Sequence, residues 1–316
     1  MTTITIAAVG DLLMKAPIIA SARLDGGGQY DFDPMFEGVK PQLQNANLLI
    51  GNLETTFSGN PRKAGKYETR APRTGYPAFN CPDELAGTLK RLGFDVLTTA
   101  NNHCMDGGTS GLKRTLNVLD RHGIKHTGTS RSAAESRRCT VMDVKGIKVG
   151  ILAYTTGTNS IPYPKAYLVN RIRLPRIAAD IKAMKRRADF VIVCLHFGLE
   201  FHRTPNARQK SIVNAVFKYG ADAILGAHPH VLQPVKVSKV KDGRGGVKKR
   251  VAAYSLGNFV STRLRKNIHT QRGLILKLKV QKDEKGRTRL LGVSKVHTMV
   301  NSHGEIGNRT YRVVPL

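Results

Sequence analysis

The chain has 316 residues, 41% of them hydrophobic, and its 51 Lys and Arg against 22 Asp and Glu give a formal net charge of +29. It is too apolar for a disordered polyelectrolyte and long enough for one large domain or two ordinary ones. No run approaches the ~18 apolar residues of a membrane span, Thr2 to Met14 lacks the features of a signal peptide, and the four cysteines form no CxxC pair, so we expect a cytoplasmic chain with reduced thiols.

Short β-branched runs, each ending in polar or Gly-rich residues, recur along the chain. Thr3–Val9 ends at Gly10-Asp11, and Asn47–Ile50 at Gly51-Asn52-Leu53-Glu54. The Thr55–Pro82 segment reads as a long loop over one end of a sheet. An amphipathic helix follows Pro82-Asp83 over Glu84–Leu92. Asp95–Thr99 ends at Asn101-Asn102-His103, and Ser110–His122 carries Leu112, Leu116 and Leu119 on one helical face. Val141–Val144 and Ile147–Tyr154 form a hairpin around Lys145-Gly146. Leu174–Ala188 and Asn206–Tyr219 are further helices, the second stopped by Gly220. Between and after them, Phe190–Leu195 ends at His196, Ala221–Leu225 at His228-Pro229-His230, and Val251–Ser255 at Gly257-Asn258. Apolar runs of this length suit strands buried on both faces, and their alternation with helices predicts α/β layering. From about residue 235 the pattern changes to hairpins, Pro234–Val240 with Val247–Tyr254 around a Gly-rich turn, and Gly273–Val280 with Arg289–Val296.

Polar residues of metal-ligating type sit where the apolar runs end: Asp11, Glu54, Asn102, His103, Asp106, His196, His228 and His230. In α/β sheets that is the end at which ligands bind. One buried His is most often a satisfied core residue, but several strand ends offering His, Asp, Glu and Asn together point to a metal pocket. His–carboxylate–amide sets suit zinc, manganese or iron, with calcium a further option. No GxxxxGK[ST] element is present, so ATP use is not indicated.

These motifs, in this order, resemble the calcineurin-like metallophosphoesterases, and more closely their bacterial capsule-synthesis (CapA, poly-γ-glutamate) branch. The resemblance rests on Val9-Gly10-Asp11, Gly51-Asn52-Leu53-Glu54, Ala100-Asn101-Asn102-His103-Cys104-Met105-Asp106, His196-Phe197-Gly198-Leu199-Glu200, Gly226-Ala227-His228-Pro229-His230 and Ser255-Leu256-Gly257-Asn258-Phe259. It implies a four-layer α/β/β/α sandwich over residues 1–262, with a β-rich extension, 263–316, packed on the same domain. It implies one or two divalent metals, held by Asp11 and His230 at one position and by Asn102, His196 and His228 at the other, with Glu54 where the enzymes bridge with Asp. His103 would be the acid beside the leaving group, oriented by Asp106. Leu13 stands where those enzymes carry a His ligand, and Glu54 is one methylene longer than Asp, so a single metal is nearly as well supported as a pair.

Arg70, Arg73 and Arg203 lie in loops near the motifs and are candidates for carboxylate or phosphate binding through the guanidinium fork. Glu200 is either a pocket residue or part of a solvated loop, and Asn258 either bonds a ligand or makes a turn. The basic excess lies mainly after residue 170, in Arg171–Arg187, Lys236–Arg250 and Arg263–Arg289. It fits an anionic substrate such as poly-γ-glutamate, with nucleic acid the second choice; the absence of Trp argues against single-strand stacking. The leading expectation is a metal-dependent hydrolase acting on a phosphoester or an anionic peptide polymer. The alternatives are a non-enzymatic polymer-binding protein, a metal-dependent peptide epimerase and a nuclease.

Overall fold

The computed structural model describes the chain except residues 25–27, 62–64, 73, 242–246 and 306–308. Its strands are β1 (Thr2–Leu12), β2 (Leu48–Leu53), β3 (Glu68–Arg70), β4 (Pro77–Phe79), β5 (Val96–Thr98), β6 (Lys125–Thr127), β7 (Thr140–Val144), β8 (Ile147–Thr155), β9 (Phe190–His196), β10 (Ala223–Ala227), β11 (Val235–Lys241), β12 (Val247–Ala253), β13 (Asn258–Val260), β14 (Arg272–Lys282), β15 (Thr288–His303) and β16 (Thr310–Pro315). Its α-helices are α1 (Ala16–Ser21), α2 (Asp33–Phe36), α3 (Lys40–Gln44), α4 (Glu84–Arg91), α5 (Gly108–Arg121), α6 (Leu174–Met184) and α7 (Ala207–Tyr219).

Period-two alternation sorts the strand residues into two sheets facing one another. The first has the order β16-β15-β14-β1-β2-β5-β6, with β13 also on β1; the second has the order β11-β12-β10-β9-β8-β7. Ile6, Ala8, Leu48, Ile50 and Val96 of the first sheet meet Val149, Ile151, Ile192, Leu225 and Val251 of the second in a middle core. The opposite face of the first sheet (Ala7, Val9, Leu49, Leu97) packs on Phe36, Leu85, Leu89 and Leu119 from the helices α2, α4 and α5. The opposite face of the second (Tyr154, Val191, Val193, Ile224) packs on Ile177, Ile181, Met184, Ile212 and Val216 of α6 and α7. The layers are therefore α/β/β/α, as the motif order implied.

The anticipated helices and hairpins are present with small changes of boundary. Helix α7 begins with a capping box, in which Asn206 and Gln209 each bond the other's backbone, and ends at Gly220 in the left-handed region (φ 110°). Helix α6 stops at Met184, four residues before its apolar pattern does, because the chain must turn into β9. The Thr55–Pro82 segment contains the small β3–β4 sheet. The Gly-rich turn expected at 242–246 lies outside the described residues.

What positions the site is the register at the strand ends. Strand β1 runs parallel to both β2 and β13, and its Asp11 is level with Asn52 on one side and Asn258 on the other. Asn52 is in turn level with Thr98. In the second sheet His196 is level with Ala227 and Thr155. Gly10 allows the β1–β13 approach, since a Cβ there would stand 1.9 Å from the Gly257 carbonyl oxygen.

Candidate metal centre

Asp11, Glu54, Asn102, His196, His228 and His230 converge where the two sheets' strand ends meet. Two groups have ligand atoms all within 4.8 Å of one another: Glu54 with His196 and His228, and Asp11 with Glu54 and His230. Glu54 is common to both. Its side chain is fully buried, and neither carboxylate oxygen has a hydrogen-bond partner; His228 Nδ1 is likewise buried and unpartnered. His196 Nε2 and His230 Nε2 stand 3.4 and 3.8 Å from Glu54 Oε1. An unsatisfied buried carboxylate is costly, by more than the ~1–3 kcal/mol of a neutral group, so these orphaned atoms, facing imidazoles, fit a bound cation.

Neighbouring side chains fix the orientation of the cluster. His230 Nδ1 lies 2.9 Å from Asn258 Oδ1 and 3.3 Å from Asp11 Oδ2, which leaves Nε2 toward Glu54, as in metal-bound imidazoles held by a partner on the other nitrogen. Asn258 donates in turn to the Thr270 carbonyl at 2.8 Å. Asp11 accepts from Asn52 Nδ2 at 2.8 Å and from the His228 backbone N–H at 3.3 Å. Asn102 Oδ1 is 2.8 Å from His196 Nε2. His228 and His230 both have positive φ, 97° and 57°, with Pro229 between them. Backbone strain of this kind persists only where the surroundings over-determine it; here the His228 amide is held on Asp11, and the Pro229 carbonyl accepts from the Phe201 N–H at 2.8 Å.

The buried carboxylates and imidazoles shift one another's ionisation in opposite directions. Burial opposes ionisation of Asp11, but the hydrogen bond and charge of His230, with His196 and Asn52, hold its carboxyl below the usual aspartate range. Burial, reinforced by the Asp11 charge, pushes Glu54 well above the usual glutamate range. Burial also depresses His196, to about 3, and His228. His230 resists the same burial and rises to about 10, because Glu54 and Asp11 face it. Burial and mutual attraction thus couple the ionisation of Asp11, Glu54 and His230, a donor set whose negative charge a dication would offset. Glu200 contributes to the field at His196, His228, His230 and Glu54.

His103 and Asp106 lie beside this cluster. His103 Nδ1 is 2.7 Å from Asp106 Oδ2, which also accepts from the Phe79 N–H at 2.7 Å. The Phe79 ring packs on the imidazole at 4.4 Å between centroids. Asn159 Nδ2 stands 3.5 Å from His103 Nε2, and Asn159 Oδ1 accepts from Asn102 Nδ2 at 3.1 Å. Arg70 is exposed and donates to Gly75 in its own hairpin at 2.8 Å. Arg203 is exposed, and neither arginine hydrogen-bonds the cluster among the described residues; Arg73 lies outside them. Leu13 is buried, its N–H on the Val260 carbonyl at 3.0 Å. Sequence reasoning quoted Asn52 and Asn101 inside motifs without assigning them a role. Asn101 donates to the Leu53 carbonyl and accepts from the His103 N–H, at 2.7 and 3.1 Å. Asn159, with φ 49°, carried no sequence signal.

No described helix is long and apolar enough to cross a membrane. The family described as bacterial capsule synthesis protein PGA_cap matches residues 5–263. The PGA biosynthesis protein CapA of Bacillus subtilis (strain 168) is 30% identical over 260 residues, 80% of this chain and 62% of that protein. The capsule biosynthesis protein CapA of Bacillus anthracis is 28% identical over 263 residues, 81% of this chain and 59% of that protein. The chain therefore spans about three-fifths of the length of these curated relatives. Among solved structures, a 5′-nucleotidase precursor from Thermus thermophilus superposes with TM-score 0.52 at 14% identity, over 99% of this chain and 55% of that one. The NAD nucleotidase of Haemophilus influenzae gives TM-score 0.52 at 14% identity, over 96% and 59%. At such identities the likeness shows the fold, a calcineurin-like α/β metallophosphoesterase sandwich. By its match over most of its length, the chain belongs to the bacterial capsule synthesis protein family.

Proposed function

We propose that this chain is a metal-dependent hydrolase acting on an anionic substrate, a phosphoester or a peptide polymer such as poly-γ-glutamate. The observation that carries the reading is Glu54, buried, without a hydrogen-bond partner, and common to two groups of ligand atoms. Asp11, Glu54 and His230 would hold one divalent metal, and Glu54, His196 and His228, with the Asn102 amide oxygen, a second. A metal bound there supplies Lewis acidity toward a phosphoryl or carbonyl oxygen and lowers the pKa of water. Asp106, anchored by the Phe79 amide, holds the His103 ring by Nδ1 and leaves Nε2 to carry a proton to a leaving group. The Phe79 ring limits rotation of that imidazole and covers one side of it. Leu13, which brings no donor to the first metal position, favours a second reading in which the metal grips substrate carboxylates without turnover.

Metal analysis and kinetics separate these readings. Protein prepared with supplemented manganese, zinc or iron is expected to retain metal, and Glu54→Gln and His228→Ala to lose it. Wild-type protein without metal after such preparation would refute the site. His103→Asn is expected to keep metal and to lower kcat about 10²–10⁴-fold on the best of bis(p-nitrophenyl) phosphate, a monoester and poly-γ-glutamate, the usual worth of a general acid. Metal-loaded wild type inactive on all three selects the binding reading.

A further inference from the structure

We propose that Arg265 is the carboxylate-recognition residue at the mouth of the metal pocket, placed to hold one carboxylate of an anionic peptide chain. The assignment deepens the metal-site reading above and rests on it.

Arg265 and Lys266 are consecutive residues in the left-handed region, φ 46° and 57°, in the segment joining β13 to β14. L residues other than Asn and Asp rarely adopt it, and two in a row need support from their surroundings. That support is visible. Arg263 Nε donates to the Lys266 carbonyl at 2.9 Å, and the Leu264 N–H donates to Thr270 Oγ1 at 2.8 Å. The Thr270 carbonyl accepts from Asn258, the same side chain that meets His230 Nδ1. The strained turn is thus linked through two hydrogen-bonded residues, Thr270 and Asn258, to a candidate metal ligand.

A second strained residue meets it from the loop after β9. Phe201 has φ 66°, and its N–H is held by the carbonyl of Pro229, between the two histidines. Its ring is 6.2 Å from the His230 ring, and the Arg265 guanidinium carbon stands 5.2 Å from the Phe201 ring centre. Arg265 is exposed, and among the described residues it has no ion pair and donates no side-chain hydrogen bond. A guanidinium stacked on a ring keeps its planar N–H fork for a ligand, and the fork matches a carboxylate through two parallel bonds. The stack also limits the rotamer freedom lost on binding. Arg263 and Lys266, both exposed, add charge to the same rim. A polymer with regularly spaced carboxylates can then present one group to the metal cluster and another to Arg265. Phe201 is already covered by Arg265, so it offers no open platform for a nucleic-acid base.

The test is fluorescence anisotropy with a fluorescein-labelled γ-glutamyl decamer and the metal-loaded full chain. Arg265→Ala is expected to weaken binding about tenfold, the worth of a hydrogen bond to a charged group. Arg265→Lys should recover little of it, because an ammonium has no planar fork. Arg289→Ala removes the same charge from the exposed side of β15 and should change affinity less than about twofold. A decamer with its side carboxylates converted to amides should compete poorly. Metal content should match wild type in every variant. Equal losses in Arg265→Ala and Arg289→Ala would mean bulk electrostatics and overturn the proposal. Unchanged binding by Arg265→Ala, or tighter wild-type binding of a labelled single-stranded oligonucleotide, would overturn it too. A metal-loaded wild type without affinity for the decamer overturns this proposal alone, whereas a chain that takes up no metal overturns the metal-site reading and this proposal with it.

Discussion

Arg131 organises an ion network outside the site. Its guanidinium binds Glu135 four residues on and Asp120 at 2.5 Å, and donates to Asn117 at 2.7 Å. Burial resists ionisation of both carboxyls, but the hydrogen bonds from Arg131 outweigh it and hold Asp120 and Glu135 below their usual ranges. A depressed carboxyl stabilises the fold above its unfolded pKa of ~4, and that contribution is lost as pH falls through the folded value. Asp120 is about half exposed, so solvent screening limits the effect to ~1 kcal/mol. Arg131→Met is therefore expected to cost ~1 kcal/mol at pH 7, with the difference closing below about pH 3. Urea unfolding at the two pH values checks this, and an equal loss at both would assign the effect to packing. At this scale the sequence showed residues with chemistry of their own, Asp11, Glu54 and the three histidines of the second sheet's strand ends. It offered Asn258 as a ligand's partner only beside the reading of a turn, and it quoted Asn52 and Asn101 without the aiming role they take. Asn52, Asn101 and Asn258 act through geometry set by three strands at once, and an amide's partner is not written in its neighbours.

Long elements announce themselves by repetition, and short ones have nothing to repeat. Strands β1, β2 and β9 and helices α4 to α7 carried a readable apolar pattern. Helices α1 to α3, of six, four and five residues, complete fewer than two turns and form because their apolar side chains cover the first sheet. Strands β6 and β13 are three residues each and exist through their neighbours. The meeting of β1 with β13 is the most demanding of these contacts. Gly10→Ala would drive a methyl into the Gly257 carbonyl, with backbone on both sides and no side chain to yield. We expect a loss of about 3 kcal/mol in unfolding free energy and weaker metal retention, because Asp11 and Asn258 share that register. A variant with wild-type stability and metal content would show that the two strands can part without consequence.

For the whole molecule, the four layers are those that the family resemblance implied, whereas the place of the last strands in the first sheet was not written in it. Hairpin patterning identified β14 and β15 without saying what they would join. They extend the first sheet, with β14 antiparallel to β1 from Thr2–Lys282 to Ala8–Leu276. Leu274, Leu276, Leu278 and Val280 fill the middle core. A chain of residues 1–262 would lack this wall and present β1 from Thr2 to Ala8 as an unpaired edge. We expect such a fragment to aggregate or to unfold without cooperativity; a monomer melting at the wild-type temperature would show that the extension is dispensable. The charge of +29 takes on a location as well. Lys277 and Lys279 on β14 and Arg289 on β15 are at least partly exposed, so part of the basic excess lies on the sheet that carries Asp11, with more on α6 and on β11 and β12 of the second sheet.

The pairing of β1 with β14 also bears on the order of events at the ribosome. Asp11 precedes the other candidate ligands in the chain, yet β14, the strand that flanks β1 on its far side, is made after His228 and His230. Contacts so distant in sequence form slowly and only once both partners exist. A nascent chain stalled before β14 would have every candidate ligand and no finished cradle for them. On the metal-site reading proposed above, acquisition of metal would then be a late step of biogenesis, following closure of the first sheet.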